Sequence, residues 1–152
     1  MTLDDDISFP PEAIDILIED DKPIVGGIYT FRNPSAYYEG KVCTRFFEKQ
    51  EIHDDQPFKV RWLNGGFILV KAEVLLTMID AYKDLEIDMV PKPGMQATKT
   101  WALWAPMVYE RTLLSEDWAF CQRAREIGFD IWADLRVKLI HWEGETGFAF
   151  HL

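Results

Sequence analysis

The chain has 152 residues, enough for one domain and too few for two well-packed ones. Apolar residues make up 48% and aromatics 14%, which excludes a disordered chain and provides for a buried core. A formal net charge of −10 argues against a nucleic-acid partner, because such proteins gather cations for phosphates. A phosphorylated small molecule stays compatible with that charge if a divalent cation bridges its oxygens to carboxylates.

Cys43 and Cys121 are the two cysteines of the chain, which is no disulfide framework, so the expected setting is reducing and cytoplasmic. The opening MTLDDDISF shows neither a basic region nor an apolar stretch of signal-peptide type. No apolar run approaches the roughly 20 residues of a transmembrane helix.

In chain order, Thr2-Leu3 reads as the end of a strand, followed at once by Asp4-Asp5-Asp6. Pro10-Pro11-Glu12 begins a helix, since proline suits the first turn and an early acid suits the helix dipole. Ile14, Leu17 and Ile18 form its apolar face, and Asp20-Asp21-Lys22-Pro23 ends it. A strand follows over Ile24 to Phe31, with Gly26-Gly27 marking close approach of another backbone or a ligand. Residues 32–57 read as polar and irregular around a short hairpin. Val60 to Lys71 reads as one strand broken at Asn64-Gly65-Gly66, and Ala72 to Tyr82 as a helix turning Val74, Leu75, Met78 and Ile79 inward. Residues 84–114 read as a long connection containing Pro91, Pro93, Gly94 and Pro106, with Trp101 and Trp104. Ser115 is the expected N-cap of a helix that carries Glu116 and Asp117 in its first turn, an inward stripe of Phe120, Cys121, Ala124 and Ile127, and a stop at Gly128. Asp130 to Ala133 and Val137 to His141 read as short strands. Strands and helices alternate, so the expected class is α/β, a mixed sheet flanked by helices in a single domain over 1–152.

Four groups of residues carry chemistry. Asp4, Asp5 and Asp6, just past a strand, can converge on Mg²⁺ or Mn²⁺, which prefer oxygen ligands; as a triplet alone they equally describe a solvated acidic turn. Asp117, beside Glu116 and Trp118, fits a general base, although capping and dipole pairing explain the same two acids. The helix dipole is expected to lower the basicity of Asp117, so that a base there acts by placement. His141, at the end of an apolar strand, can complete a carboxylate-held cation or serve as a hydrogen-bonded structural residue. Asn64-Gly65-Gly66 permits a ligand to approach backbone closely, or forms a tight bend.

The segments LDDDISFPPEAIDILI, KPIVGGIY, WLNGGFILVKAEVL and SEDWAFCQRAREIGFDIWADLRVKLIHWE, in that order, resemble the A-fold glycosyltransferases, the family-2-like enzymes in particular. The resemblance implies a partial version of that fold, a nucleotide-sugar donor, a carbohydrate or other hydroxyl acceptor, and Mn²⁺ or Mg²⁺. It places Asp4-Asp5-Asp6 on the Asp-x-Asp motif, with Asp4 and Asp5 toward the donor and Asp4 and Asp6 as metal ligands. His141 falls on a late metal-binding histidine, and Asp117 on the general base of inverting members with Glu116 beside it. Asn64, Gly65 and Gly66 fall near donor sugar and acceptor, and Trp101 and Trp104 in an acceptor loop or lid. The family places a nucleotide-binding portion before the Asp-x-Asp motif. The resemblance therefore also implies a complementary N-terminal chain, a homo-oligomer, or a remnant that acts as a binding module.

Overall fold

A computed structural model describes residues 1–90, 96 and 98–149. Its elements are, in order, β1 (Thr2–Leu3), β2 (Ile7–Ser8), α1 (Glu12–Glu19), β3 (Ile24–Gly27), α2 (Pro34–Tyr38), β4 (Phe58–Val60), β5 (Phe67–Val70) and α3 (Ala72–Ala81). A 3₁₀ turn over Lys83–Leu85 leads to β6 (Glu86–Asp88), β7 (Lys99–Trp101), β8 (Met107–Tyr109), β9 (Thr112–Leu114), α4 (Glu116–Glu126), β10 (Ile131–Asp134), β11 (Ile140–Glu143) and β12 (Thr146–Ala149). The class is mixed α/β, as the alternation of patterns implies.

The principal sheet has the order β1-β5-β3-β10-β4, with β3 and β10 parallel and every other neighbour antiparallel. A second sheet runs β12-β11-β2, and β6-β7 and β8-β9 form separate hairpins. Strand β3 is buried on both faces, and its alternation divides the core. Ile24 and Ile28 join a cluster with Val74, Met78, Phe120 and Ala124 of α3 and α4. Val25 and Tyr29 join Ala13 and Leu17 of α1 on the opposite face. The sheet is thus covered by helices on both sides.

The two glycines of β3 serve this packing. A Cβ on Gly26 would lie 2.4 Å from the Phe67 carbonyl oxygen, and one on Gly27 would lie 2.5 Å from Leu139 Cδ1. The close approach predicted from Gly26-Gly27 is that of the chain itself, with no ligand between.

Several expectations change in detail. Helix α1 buries Ala13 and Leu17, four residues apart on one face, and that face leaves Ile18 59% exposed. The single broken strand of residues 60–71 is two strands on opposite sides of β3 and β10, so residues 61–66 cross the end of the sheet instead of bending within it. Residues 32–57 hold helix α2 and two isolated bridges, Thr30 with Val42 and Arg45 with Trp62, in place of a hairpin. The last apolar run pairs over Ile140–Glu143, because Val137 and Leu139 owe their character to packing on Gly27 and not to pairing. Ser115 occupies the N-cap of α4 but makes no capping bond through its side chain. Pro91, Pro93 and Gly94 lie outside the described residues.

Arg136 fastens the end of α1 to β10, reaching Asp20 Oδ1 and Asp134 Oδ2 at 2.5 Å each. Burial, and then the charge of Asp134, push the Asp20 carboxyl up to about 6 against the pull of Arg136.

Candidate active site

The turn after β1, the crossing over 61–66 and the start of α4 meet at one end of the sheet. The crossing is tied down from three directions. Thr2 Oγ1 donates to the Gly65 carbonyl at 2.7 Å, and Asp4 N–H donates to the Gly66 carbonyl at 3.0 Å. Tyr29 Oη accepts the Gly66 N–H at 3.0 Å. Cys121, on the buried face of α4, accepts the Leu63 N–H at 3.5 Å and donates to the Leu63 carbonyl at 3.4 Å. Asn64 Oδ1 accepts from Trp118 Nε1 at 3.1 Å, so Asn64 orients an indole on α4.

These ties leave an open cleft of about 340 Å³ lined by Thr2, Asp4, Gly65, Trp104 and Asp117. The glycines are required by it: a Cβ at Gly65 would lie 2.4 Å from Asp117 Oδ1, and one at Gly66 2.6 Å from Tyr29 Oη and 2.8 Å from Asp4 Oδ2. Asp4, Gly65 and Asp117, from three segments distant in the chain, thus lie on the wall of one cleft. Trp104 forms another part of the wall and stacks on Phe120 with centroids 4.1 Å apart and planes 7° apart. Glu116 is exposed in the first turn of α4, and Asp5 is exposed in the turn between β1 and β2; neither lines the cleft.

The Asp117 carboxyl is held above the usual carboxylate range, chiefly by burial. The charges of Glu116 and Asp4 add to the rise, and a hydrogen bond from the Gly65 N–H opposes it. The helix dipole was expected to lower its basicity; the loss of water around the carboxylate outweighs that pull. A carboxylate with raised basicity, exposed to a cleft, is suited to taking a proton.

Beside this cleft, β2 pairs with β11 so that Ile7 stands opposite His141. His141 Nε2 lies 3.6 Å from Asp6 Oδ2. His141 Nδ1 is 2.7 Å from the Thr30 carbonyl oxygen, which can only accept, so Nδ1 donates there and Nε2 is the ring nitrogen left facing Asp6. The edge of Tyr29 packs on the imidazole with centroids 5.0 Å apart. Tyr29 thus touches both the Gly66 amide and His141 and links the two halves of the site. Nothing in the sequence marked it beyond its place in the strand expected over Ile24 to Phe31. Arg32 Nη1 lies 2.5 Å from Asp6 Oδ2 and is a second contributor that the sequence did not single out.

The metal set drawn from the resemblance was Asp4, Asp6 and His141. Asp6 and His141 are adjacent, whereas Asp4 faces Asp117. Among the described residues, no three His, Cys, Asp or Glu side chains converge as a ready cation site. The pair nevertheless fits a divalent cation in two respects. Asp6 Oδ1 is buried with no hydrogen-bond partner, and the Thr30 carbonyl fixes the imidazole as an outer ligand does in metal sites.

Cys43 and Cys121 are both buried and unpaired, and burial pushes both thiols up to about 12, which disqualifies them as nucleophiles at neutral pH. Among the described residues no helix is long and apolar enough to cross a membrane. No family model, curated protein or solved structure matches the chain.

Proposed function

We propose that this chain is the catalytic part of a glycosyltransferase of the A-fold type, moving a sugar from a nucleotide-diphosphate donor to an acceptor hydroxyl. The observation that carries the reading is the meeting of Asp4, Gly65 and Asp117 on one cleft, with Asp6 and His141 adjacent to it. These residues come from the distant segments on which the resemblance rests.

In this reading Asp117 takes the proton of the acceptor hydroxyl, and its raised basicity suits that role. Gly65 and Gly66 let Asp117, Asp4 and Tyr29 close on the crossing, since a Cβ at either would meet those side chains. Trp104 offers a flat wall to the acceptor. Asp6 and His141 would hold Mg²⁺ or Mn²⁺, whose positive charge offsets that of the departing diphosphate. Arg32 supplies a further positive charge at the Asp6 carboxylate. Asp4 faces the donor from the other wall.

The test is turnover of a panel of nucleotide sugars with Mn²⁺ and simple hydroxyl acceptors, read as released nucleoside diphosphate. The expected result is release that disappears when the cation is chelated. Absence of release with every donor, including after mixing with candidate complementary chains, contradicts the reading. It would favour a non-catalytic binding module, a reading supported by the Arg32 guanidinium that already neutralises Asp6.

A further inference from the structure

A second cavity, of about 320 Å³, is lined by Trp62 at the start of the crossing and Trp118 in the first turn of α4. Its side is a layered arrangement of cations and indoles. Arg61 Cζ lies 4.5 Å from the ring centroid of Trp62, Trp62 and Trp118 stack at 5.3 Å and 25°, and Arg45 Cζ lies 5.1 Å from the ring of Trp118. Both indole N–H groups are committed elsewhere, Trp62 to Gln122 Oε1 at 3.0 Å and Trp118 to Asn64 Oδ1 at 3.1 Å. The rings are therefore held as fixed plates, and the guanidinium groups lie on them with their N–H edges left for another partner.

Among the described residues no carboxylate pairs with Arg45, although acids outnumber bases by 26 to 16 in the chain. Arg61 has one, Glu110 at 3.2 Å, whose side chain is 68% exposed at the rim. One rim carboxylate against two guanidinium groups leaves the cavity positive. The Tyr109 and Thr112 hydroxyls also line it, and neither has a hydrogen-bond partner among the described residues. Both flank the turn of the β8-β9 hairpin, where Glu110 and Arg111 adopt φ of 45° and 64°. Positive φ at both positions is what a two-residue hairpin turn requires, so the turn fixes Tyr109 and Thr112 side by side.

From these features we infer that this cavity is a subsite for a sugar bearing an oxyanion, a phosphate or a carboxylate, with Arg45 and Arg61 as its anchors. The inference deepens the sugar-transfer reading and rests on it for the ligand's identity as acceptor, since Trp118 of this cavity directly follows Asp117 of the other. A guanidinium held on a rigid plane suits forked recognition of such an oxyanion, and the Tyr109 and Thr112 hydroxyls suit the sugar's own hydroxyls.

The test is binding of a hexose phosphate, a hexuronate and the parent hexose to the full chain, without nucleotide or cation, followed by the indole N–H resonances. The inference expects shifts at Trp62 and Trp118 with Trp132 and Trp142 unmoved. It expects affinity for at least one charged sugar to exceed that for the hexose by roughly tenfold or more, and to fall by a similar factor in Arg45→Gln and in Arg61→Gln. Whichever charged sugar binds more tightly identifies the oxyanion. Equal affinity for hexose and charged sugars, or unchanged affinity in both variants, overturns it. Because neither donor nor Asp117 enters the measurement, the two readings fail separately. Binding that persists in a chain without turnover leaves the subsite standing, and turnover of neutral acceptors without charged-sugar binding removes the subsite alone.

Discussion

Replacing Asp117 with asparagine is expected to lower kcat for sugar transfer by about 10²- to 10⁴-fold, the usual contribution of a positioned general base. Asparagine has the same shape and keeps an oxygen for the Gly65 N–H, so thermal stability and donor KM should change little. The pH profile separates this from a structural effect. The acting form is the carboxylate, and its basicity is raised by burial, so the wild-type rate should fall on the acid side at a pH above 3.8, the ordinary value for aspartate. That acid limb should vanish from the residual activity of the variant. Activity within a few-fold of wild type, with the limb intact, would remove Asp117 from the chemistry.

The largest expected effect on stability is that of Phe120→Ala. Phe120 is 1% exposed, belongs to the cluster between the sheet and helices α3 and α4, and carries the stacked ring of Trp104. Deleting a ring from such a position costs about 3–5 kcal/mol, as lost burial plus an unfilled cavity. At about 2–4 °C per kcal/mol for a domain of this size, Tm should drop by about 6–20 °C. Phe120→Leu should recover much of the loss, since it refills part of the volume. Denaturant unfolding should show a lower midpoint at an unchanged slope. A loss below about 1 kcal/mol would mean that the site relaxes freely and that Trp104 does not depend on Phe120 for its place.

How far the sequence foretells this molecule depends on how each feature is encoded. Helix α3 and the buried stripe of α4 were legible because their apolar spacing is helical and their ends carry a clear stop, at Gly128 most plainly, where φ is +99°. Strand β3 was legible as a buried run, but the meaning of its glycines was not, since whether ligand or protein fills the space depends on Phe67 and Leu139 from elsewhere in the chain. The hairpin of β8 and β9 escaped because its turn is Glu110-Arg111, where a two-residue hairpin usually shows Asn-Gly. The hairpin of β6 and β7 escaped because β6 is exposed throughout and carries no alternation.

At the site, residue types and order brought Asp4, Gly65 and Asp117 into view, and the antiparallel pairing of β2 with β11 brought Asp6 to His141. The split between the two groups of acids was invisible, because it follows from the direction each side chain takes out of a tight turn. The roles of Tyr29, Arg32 and Arg45 were invisible for a related reason. Each acts through long-range contacts, and no local pattern records them.

The proposed transfer depends on one juxtaposition, that of the opening acidic turn, the glycine crossing and the imidazole of β11, and on the divalent cation they would hold. Paramagnetic broadening by Mn²⁺, with and without a nucleoside diphosphate, tests it most directly. The prediction is that the backbone amides of Asp6, Thr30, Gly66 and His141 broaden first, and that Asp6→Ala and His141→Ala each abolish the effect. Broadening centred on other acids, such as Asp54 and Asp55, or persisting undiminished in both variants, would contradict it.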